Sequence, residues 1–228
     1  MSRNARSAGI KATMLSHFWF KAFGTSAFTF VFFVAYLFLL KHPAYEVTTI
    51  PTTWVDDNVA FQPAALPIYL SLWIYVSLPP LLMLTPGEIV NYGIRIAVPC
   101  IAGLAVFYYW PNAVPPAHID WAQYPGVAFL KGIDAAGNAC PSLHVATAVY
   151  SSLWLYWRFS HLGLGWLPHL LNIAWCIAIA YSTLATKQHV AIDVLAGTTL
   201  GVAAALLTGL KAHACERGPM LRLRTVFA

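Results

Sequence analysis

The stretch Ser182-Thr183-Leu184-Ala185-Thr186-Lys187-Gln188-His189-Val190-Ala191-Ile192-Asp193 places an imidazole and a carboxylate four residues apart, between two apolar runs. If the second run is helical, His189 and Asp193 lie one turn apart on one face. The carboxylate can then accept the proton of one ring nitrogen and fix the tautomer, leaving the other nitrogen free to attack. Ionisable groups at the edge of a membrane span are costly and mark functional sites.

Outward from that stretch the chain is a series of apolar runs. Of its 228 residues 59% are hydrophobic and only 9% charged, against roughly 25% charged in a soluble domain. The mean hydropathy of +0.65 agrees. The runs cover about 18–40, 64–84, 89–110, 142–159, 164–184 and 189–210. Each approaches the roughly 20 residues that cross a bilayer. The expectation is an all-α, polytopic membrane protein: a six-transmembrane helical bundle forming a single membrane domain over 1–228. A signal peptide is the alternative for the first run, but no small-x-small cleavage pattern follows it. The basic residues sit at the ends of runs rather than along a stripe, which argues against a nucleic-acid partner. Cys100, Cys140, Cys176 and Cys215 form no metal or disulfide pattern, and no chemistry is assigned to them.

Residues 111–140, rich in proline and glycine, break the pattern and read as a long loop without clear periodicity, a length at which loops often carry function. With six spans, Arg3, Arg6, Lys11, Lys21, Arg158, Lys211, Arg217, Arg222 and Arg224 share one side. The other side holds only Lys41, Lys131 and Lys187, with five acidic residues, Glu46, Asp56, Asp57, Asp120 and Asp134. The positive-inside rule puts both termini in the cytoplasm. Loop 111–140 and the starts of the fourth and sixth runs then face outward together.

One of those starts reads Gly137-Asn138-Ala139-Cys140-Pro141-Ser142-Leu143-His144. Proline suits a first helical turn, and the free N–H groups of that turn, with the Ser142 hydroxyl, make an anion cradle. Two imidazoles, a carboxylate and a helix N-terminus are the parts of phosphoryl transfer through a phosphohistidine. Taken singly, an interfacial histidine is more often a packing residue, and a Pro-Ser helix start is commonplace. It is their combination on one face that points to chemistry.

These two stretches resemble the second and third motifs of the type 2 phosphatidic acid phosphatase superfamily. The second is Pro-Ser-Gly-His, here Pro141-Ser142-Leu143-His144; the third is Ser-Arg, five residues, His, three residues, Asp, here Ser182-Thr183, His189 and Asp193. The resemblance implies His189 as nucleophile, Asp193 as its orienting partner and His144 as general acid. Ser142 and Ser182 become candidate substrate contacts. No metal or cofactor is implied, and the partner is a lipid phosphate in the bilayer. An outward-facing site with short loops suits a bacterial inner membrane, with a eukaryotic endomembrane as the alternative.

The sequence also departs from the pattern. Thr183 replaces the arginine of the third motif, and no first motif (Lys, six residues, Arg-Pro) precedes the long loop, where Pro115-Pro116 stands instead. Lys187 is the nearest replacement cation, with Lys131 and Arg95 as weaker candidates; the plain reading of each is an interfacial cation whose stem snorkels. Loss of positive charge favours a phosphodiester over a phosphomonoester. On that ground the chain also resembles, more weakly, the inositol phosphorylceramide and sphingomyelin synthase branch. The expected activity is a lipid phosphatase-type phosphoesterase, with a phospholipid head-group transferase as the alternative and a non-catalytic lipid-binding protein as the third reading.

Overall fold

Helix α1, Phe18–Lys41, is 24 residues of almost unbroken apolar sequence. It leaves Phe23, Phe30, Val31, Val34 and Phe38 exposed, a surface that hydrocarbon tolerates and water does not. The computed structural model describes residues 12–133 and 137–215. Arg3, Arg6, Lys11, Asp134, Arg217, Arg222 and Arg224, used above in reading the charge pattern, lie outside the described residues.

Past α1 the chain forms a two-residue strand β1, Thr48–Thr49, and a short helix α2, Trp54–Asn58. Three further short helices follow: α3, Leu66–Leu70, α4, Leu72–Tyr75, and α5, Leu78–Leu81. The single span expected over 64–84 is therefore broken into one-turn pieces. Pro79 and Pro80 cannot donate to the helical ladder. The hydroxyls of Ser71 and Ser77 donate back to the carbonyls of Ile68 and Trp73, a contact that bends helices.

Helix α6, Pro86–Tyr109, starts at Thr85, whose side chain accepts from the Glu88 N–H. A second two-residue strand, β2, Asn112–Ala113, pairs in parallel with β1. The long loop is not featureless, since Pro125–Ile133 forms a nine-residue helix, α7. Then come α8, Leu143–His161, α9, Trp166–Ala185, α10, Ala191–Leu207, and a short α11, Leu210–Ala214. The run expected over 189–210 divides at Gly209, whose φ of +61° is a left-handed conformation that glycine adopts without cost.

The protein is mostly helical, and among the described residues α1, α6 and α9 are long and apolar enough to cross a membrane. Helix α10, at 17 residues, falls short of the usual span. Helix α8 lies at the centre, with Ala148, Tyr150, Trp154 and Leu155 fully buried in a core shared with Leu72, Tyr75, Tyr92, Ile179 and Leu210. Buried polar groups tie the core together. The Tyr75 hydroxyl donates to Oδ1 of Asn172 at 2.6 Å, and Nδ2 of Asn172 donates to the Ser152 carbonyl at 3.0 Å. One end of the bundle carries the start of α8 and the start of α10; the other carries Lys21, Glu88, Arg158 and His213.

Candidate active site

Helix α10 begins two residues after His189, and its first turn fixes the geometry of the His189–Asp193 pair. Asp193, at the third helical position, accepts from the Val190 N–H through Oδ2 at 3.0 Å. That satisfies one of the donors a helix N-terminus leaves free and places negative charge where the helix dipole favours it. The same Oδ2 lies 3.4 Å from Nδ1 of His189, with Asp193 fully buried and His189 9% exposed. The main chain of His189 is held from behind, because its N–H and that of Gln188 both donate to the Thr183 carbonyl. With Nδ1 turned to the carboxylate, Nε2 is the nitrogen left for a substrate.

The start of α8 is locked to that turn. The Ser142 N–H donates to the Asp193 carbonyl at 3.0 Å, and the Ser142 hydroxyl caps α8 by accepting from the Val145 N–H. A Cβ on Gly197 would collide with the Ser142 carbonyl, and one on Gly201 would come within 2.6 Å of the Ala146 carbonyl. The four-residue stepping of Asp193, Gly197 and Gly201 is thus the face that meets α8, and the absence of side chains lets the two backbones touch.

His144, two residues past Ser142, lines the same cavity as His189, a space of about 680 Å³. Its Nε2–H donates to the Tyr69 carbonyl at 3.0 Å, since a carbonyl can only accept. The Tyr69 ring stacks on the imidazole at 4.0 Å between centroids, with Trp73 edge-on. The rest of the wall is largely apolar: Phe28, Phe32, Phe33 and Leu37 on one side, Ile96 and Leu143 on another, Phe129 and Leu130 of α7 across the top. Along α1 the lining runs from Phe20 to Leu37, about 26 Å at the helical rise. Among the described residues, no lysine or arginine lines it.

The structure therefore brings together His189, Asp193 and His144, and it places the other candidates elsewhere. Lys187, in a left-handed conformation (φ 56°), turns its ammonium away to donate to the carbonyls of Asp56 and Val59. It closes the C-terminal end of α2 instead of entering the cavity. The Lys131 ammonium donates to the Lys187 carbonyl and sits over the Trp121 ring. Arg95 is bonded to Asn91 and approaches Gly209, at the end of α10 away from His189 and about 27 Å from Ala191 by helical rise; it is not among the residues lining the cavity, although Gly93 and Ile96 of the same helix are. Ser182 is fully buried, its hydroxyl donating to Ile179 in its own helix. Ser142 lies behind the cavity wall as cap and interhelix link.

Two residues that the sequence reading passed over hold the site in place. Asn112 is buried and makes four bonds: Nδ2 donates to the carbonyls of Trp110 and Cys140, while Oδ1 accepts from the N–H groups of Ala139 and Cys140. It anchors the strand that delivers Ser142 and His144. Asp56 accepts from Thr53 through Oδ2 and from the Ala191 N–H through Oδ1, docking α2 on the start of α10. The spacing Thr53-x-x-Asp56 is a helix-start signature that could have revealed it. Burial, reinforced by the neighbouring Asp193 carboxylate, pushes the Cys140 thiol up to about 11, so it stays neutral and unreactive at physiological pH. Among the described residues no cluster of His, Cys, Asp or Glu is grouped to hold a metal ion.

Four buried side-chain atoms remain without a hydrogen-bond partner here: Nδ1 of His189, Oδ1 of Asp193, and both Nε2 and Oε1 of Gln188. Each such group costs roughly 1–3 kcal/mol. The Cys140 thiol beside Asp193 is too weak a donor to count as satisfaction.

A buried His–Asp pair at one helix start, a second histidine at another and a shared apolar cavity make an arrangement that can serve the phosphoryl-transfer class of chemistry. The family comparison agrees with that class. The sequence model of the PAP2 superfamily matches residues 89–215, which include both motif stretches and most of α6 through α11. The chain belongs to that superfamily of phosphatases and phosphotransferases. No curated protein and no solved structure is matched.

Proposed function

We propose that the chain is an integral-membrane phosphoesterase of the lipid-phosphatase type, cleaving a lipid phosphate ester through a phosphohistidine on His189. The observation that carries this reading is the buried Asp193 carboxylate 3.4 Å from Nδ1 of His189, with His144 on the same cavity. The lone pair of Nε2 attacks phosphorus and the bond from phosphorus to the leaving oxygen breaks. His144, in its protonated form, gives that oxygen a proton and becomes neutral. Asp193 stabilises the charge that develops on His189. In the second half, water attacks phosphorus, its proton passes to His144, and the P–N bond breaks. The apolar lining suits a lipid tail beside the reacting phosphate. The charge pattern supports six spans, both termini in the cytoplasm and the site at the extracytoplasmic face.

One observation favours a second reading, head-group transfer between lipids. No cation lines the cavity among the described residues, and a phosphodiester with about one negative charge needs less compensation than a phosphomonoester dianion. In that case a lipid hydroxyl takes the place of water in the second half.

Purified protein given a labelled phosphomonoester lipid, then a labelled phosphodiester lipid with an acceptor, separates the two. Inorganic phosphate release marks the phosphatase, and a new head-grouped lipid marks the transferase. Either way His189→Ala should lower turnover by about 10³-fold or more while the protein still folds, and acid-quenched wild type should carry label on His189. Full activity in His189→Ala would end the proposal.

A further inference from the structure

Gln188 lies between the turn residue Lys187 and the nucleophile, and it is 3% exposed. Its main chain is pinned, because its N–H shares the Thr183 carbonyl with that of His189, at 3.0 and 3.2 Å. Its side chain is engaged nowhere: neither half of the amide has a hydrogen-bond partner. Buried side-chain amides are nearly always bonded, and an exception calls for a physical reason. Here the exception adjoins a histidine whose Nδ1 and a carboxylate whose Oδ1 are likewise unpartnered, and His189 opens on the cavity. Gln188 itself is not among the residues that line the cavity, and its amide is the unsatisfied side-chain group next in the chain to the histidine that is.

The need for a donor at this point is independent of that count. A phosphoryl group on His189 carries nonbridging oxygens that require hydrogen bonds or positive charge. Where the related motif has arginine, Thr183 directs its hydroxyl to the Ala180 carbonyl. Lys187 and Lys131 donate to main-chain carbonyls outside the cavity. Gln188 is the neighbouring side chain that has donors without acceptors.

We propose that Gln188 contacts the substrate, its Nε2–H donating to a nonbridging oxygen of the phosphoryl group held at His189, as a neutral donor in place of the missing arginine. The proposal rests on the phosphohistidine reading and sharpens it toward substrate class. An uncharged amide matches a group bearing about one negative charge, as a diester-derived phosphoryl group does, better than a dianion.

Orthovanadate, which adopts the five-coordinate geometry of phosphoryl transfer, tests this on the full chain in detergent, with affinity and Tm measured together. Wild type should bind vanadate and His189→Ala should not. Gln188→Leu should weaken binding by about tenfold with Tm unchanged or raised, because it removes two unsatisfied atoms. Gln188→Glu, of the same size but repelling the anion, should weaken it further, and it serves alone if the leucine variant does not fold. Vanadate affinity within twofold of wild type in a folded Gln188 variant would overturn this role and leave the His189 reading intact. Vanadate binding absent from wild type, or retained by His189→Ala, would overturn both.

Discussion

The two ends of the bundle differ in what their buried polar groups are bonded to. At the end away from the site, Lys21 is buried and donates to the carbonyls of Thr13 and Leu81. His213 accepts from the Trp154 indole through Nδ1 and donates to the Glu88 carbonyl through Nε2. Arg158 donates to the Ala214 carbonyl. These groups join helices that are far apart in sequence. At the site end Gln188, His189 and Asp193 are equally buried and hold back part of their bonding capacity. Even the cations nearby, Lys187 and Lys131, serve as braces. The contrast separates polar groups whose bonds join helices from polar groups with unused bonding capacity, and on the proposed function it predicts a separate mutational signature for each: stability for one, turnover for the other.

Asp193→Asn should produce the largest effect. It keeps an oxygen for the Val190 N–H but removes the charge that orients His189, so turnover should fall by about 10³-fold, or 4 kcal/mol in barrier, with Tm nearly constant. A large Tm loss with modest change in rate would erase the distinction between the two ends. Gly197→Leu comes next, at about 3 kcal/mol of destabilisation, because its side chain meets the Ser142 main chain where α8 and α10 touch. A thermal melt in detergent reads it. His213→Leu should cost about 2 kcal/mol by leaving its partners unbonded, while turnover per folded molecule stays at the wild-type value. Lys187→Met should be smallest, about 1 kcal/mol from lost bonds to Asp56 and Val59, without a change in rate. A tenfold fall in turnover there would show the ammonium swinging into the cavity during the reaction, and the site end would then contain a working cation after all.

What could be read from the sequence was what depends on short spacing. Four-residue steps announced the His189–Asp193 pair and the Gly197–Gly201 face, because a helix converts that period into adjacency. Long apolar runs announced α1, α6 and α9. The period did not reveal where long side chains turn. Lys187 reads as a cation two residues from the nucleophile, and only its left-handed backbone and the position of α2, far back in the chain, direct it outward. Arg95 sits in a helix that lines the cavity, between Gly93 and Ile96, but its guanidinium is bonded to Asn91 and lies near Gly209, far from His189. Asn112 looks like an ordinary loop residue because all but one of its bonds reach residues 139 and 140, across the long loop. The run over 64–84 is divided into short helices for a local reason that composition hides: prolines and back-bonding serines spaced a few residues apart.

The bond from the Ser142 N–H to the Asp193 carbonyl, seated on the bare surfaces of Gly197 and Gly201, has a dynamic consequence. It makes His189, Asp193 and His144 parts of one block, so access to the cavity is not expected to come from parting α8 and α10. The yielding wall must be the opposite one, where α1 and α7 contribute phenylalanine and leucine side chains and little main-chain bonding to the block. In amide hydrogen exchange, Ser142 should rank with the slowest positions of the protein, while the α7 segment exchanges orders of magnitude faster. Catalytic geometry would then persist through every cycle of substrate arrival and product departure.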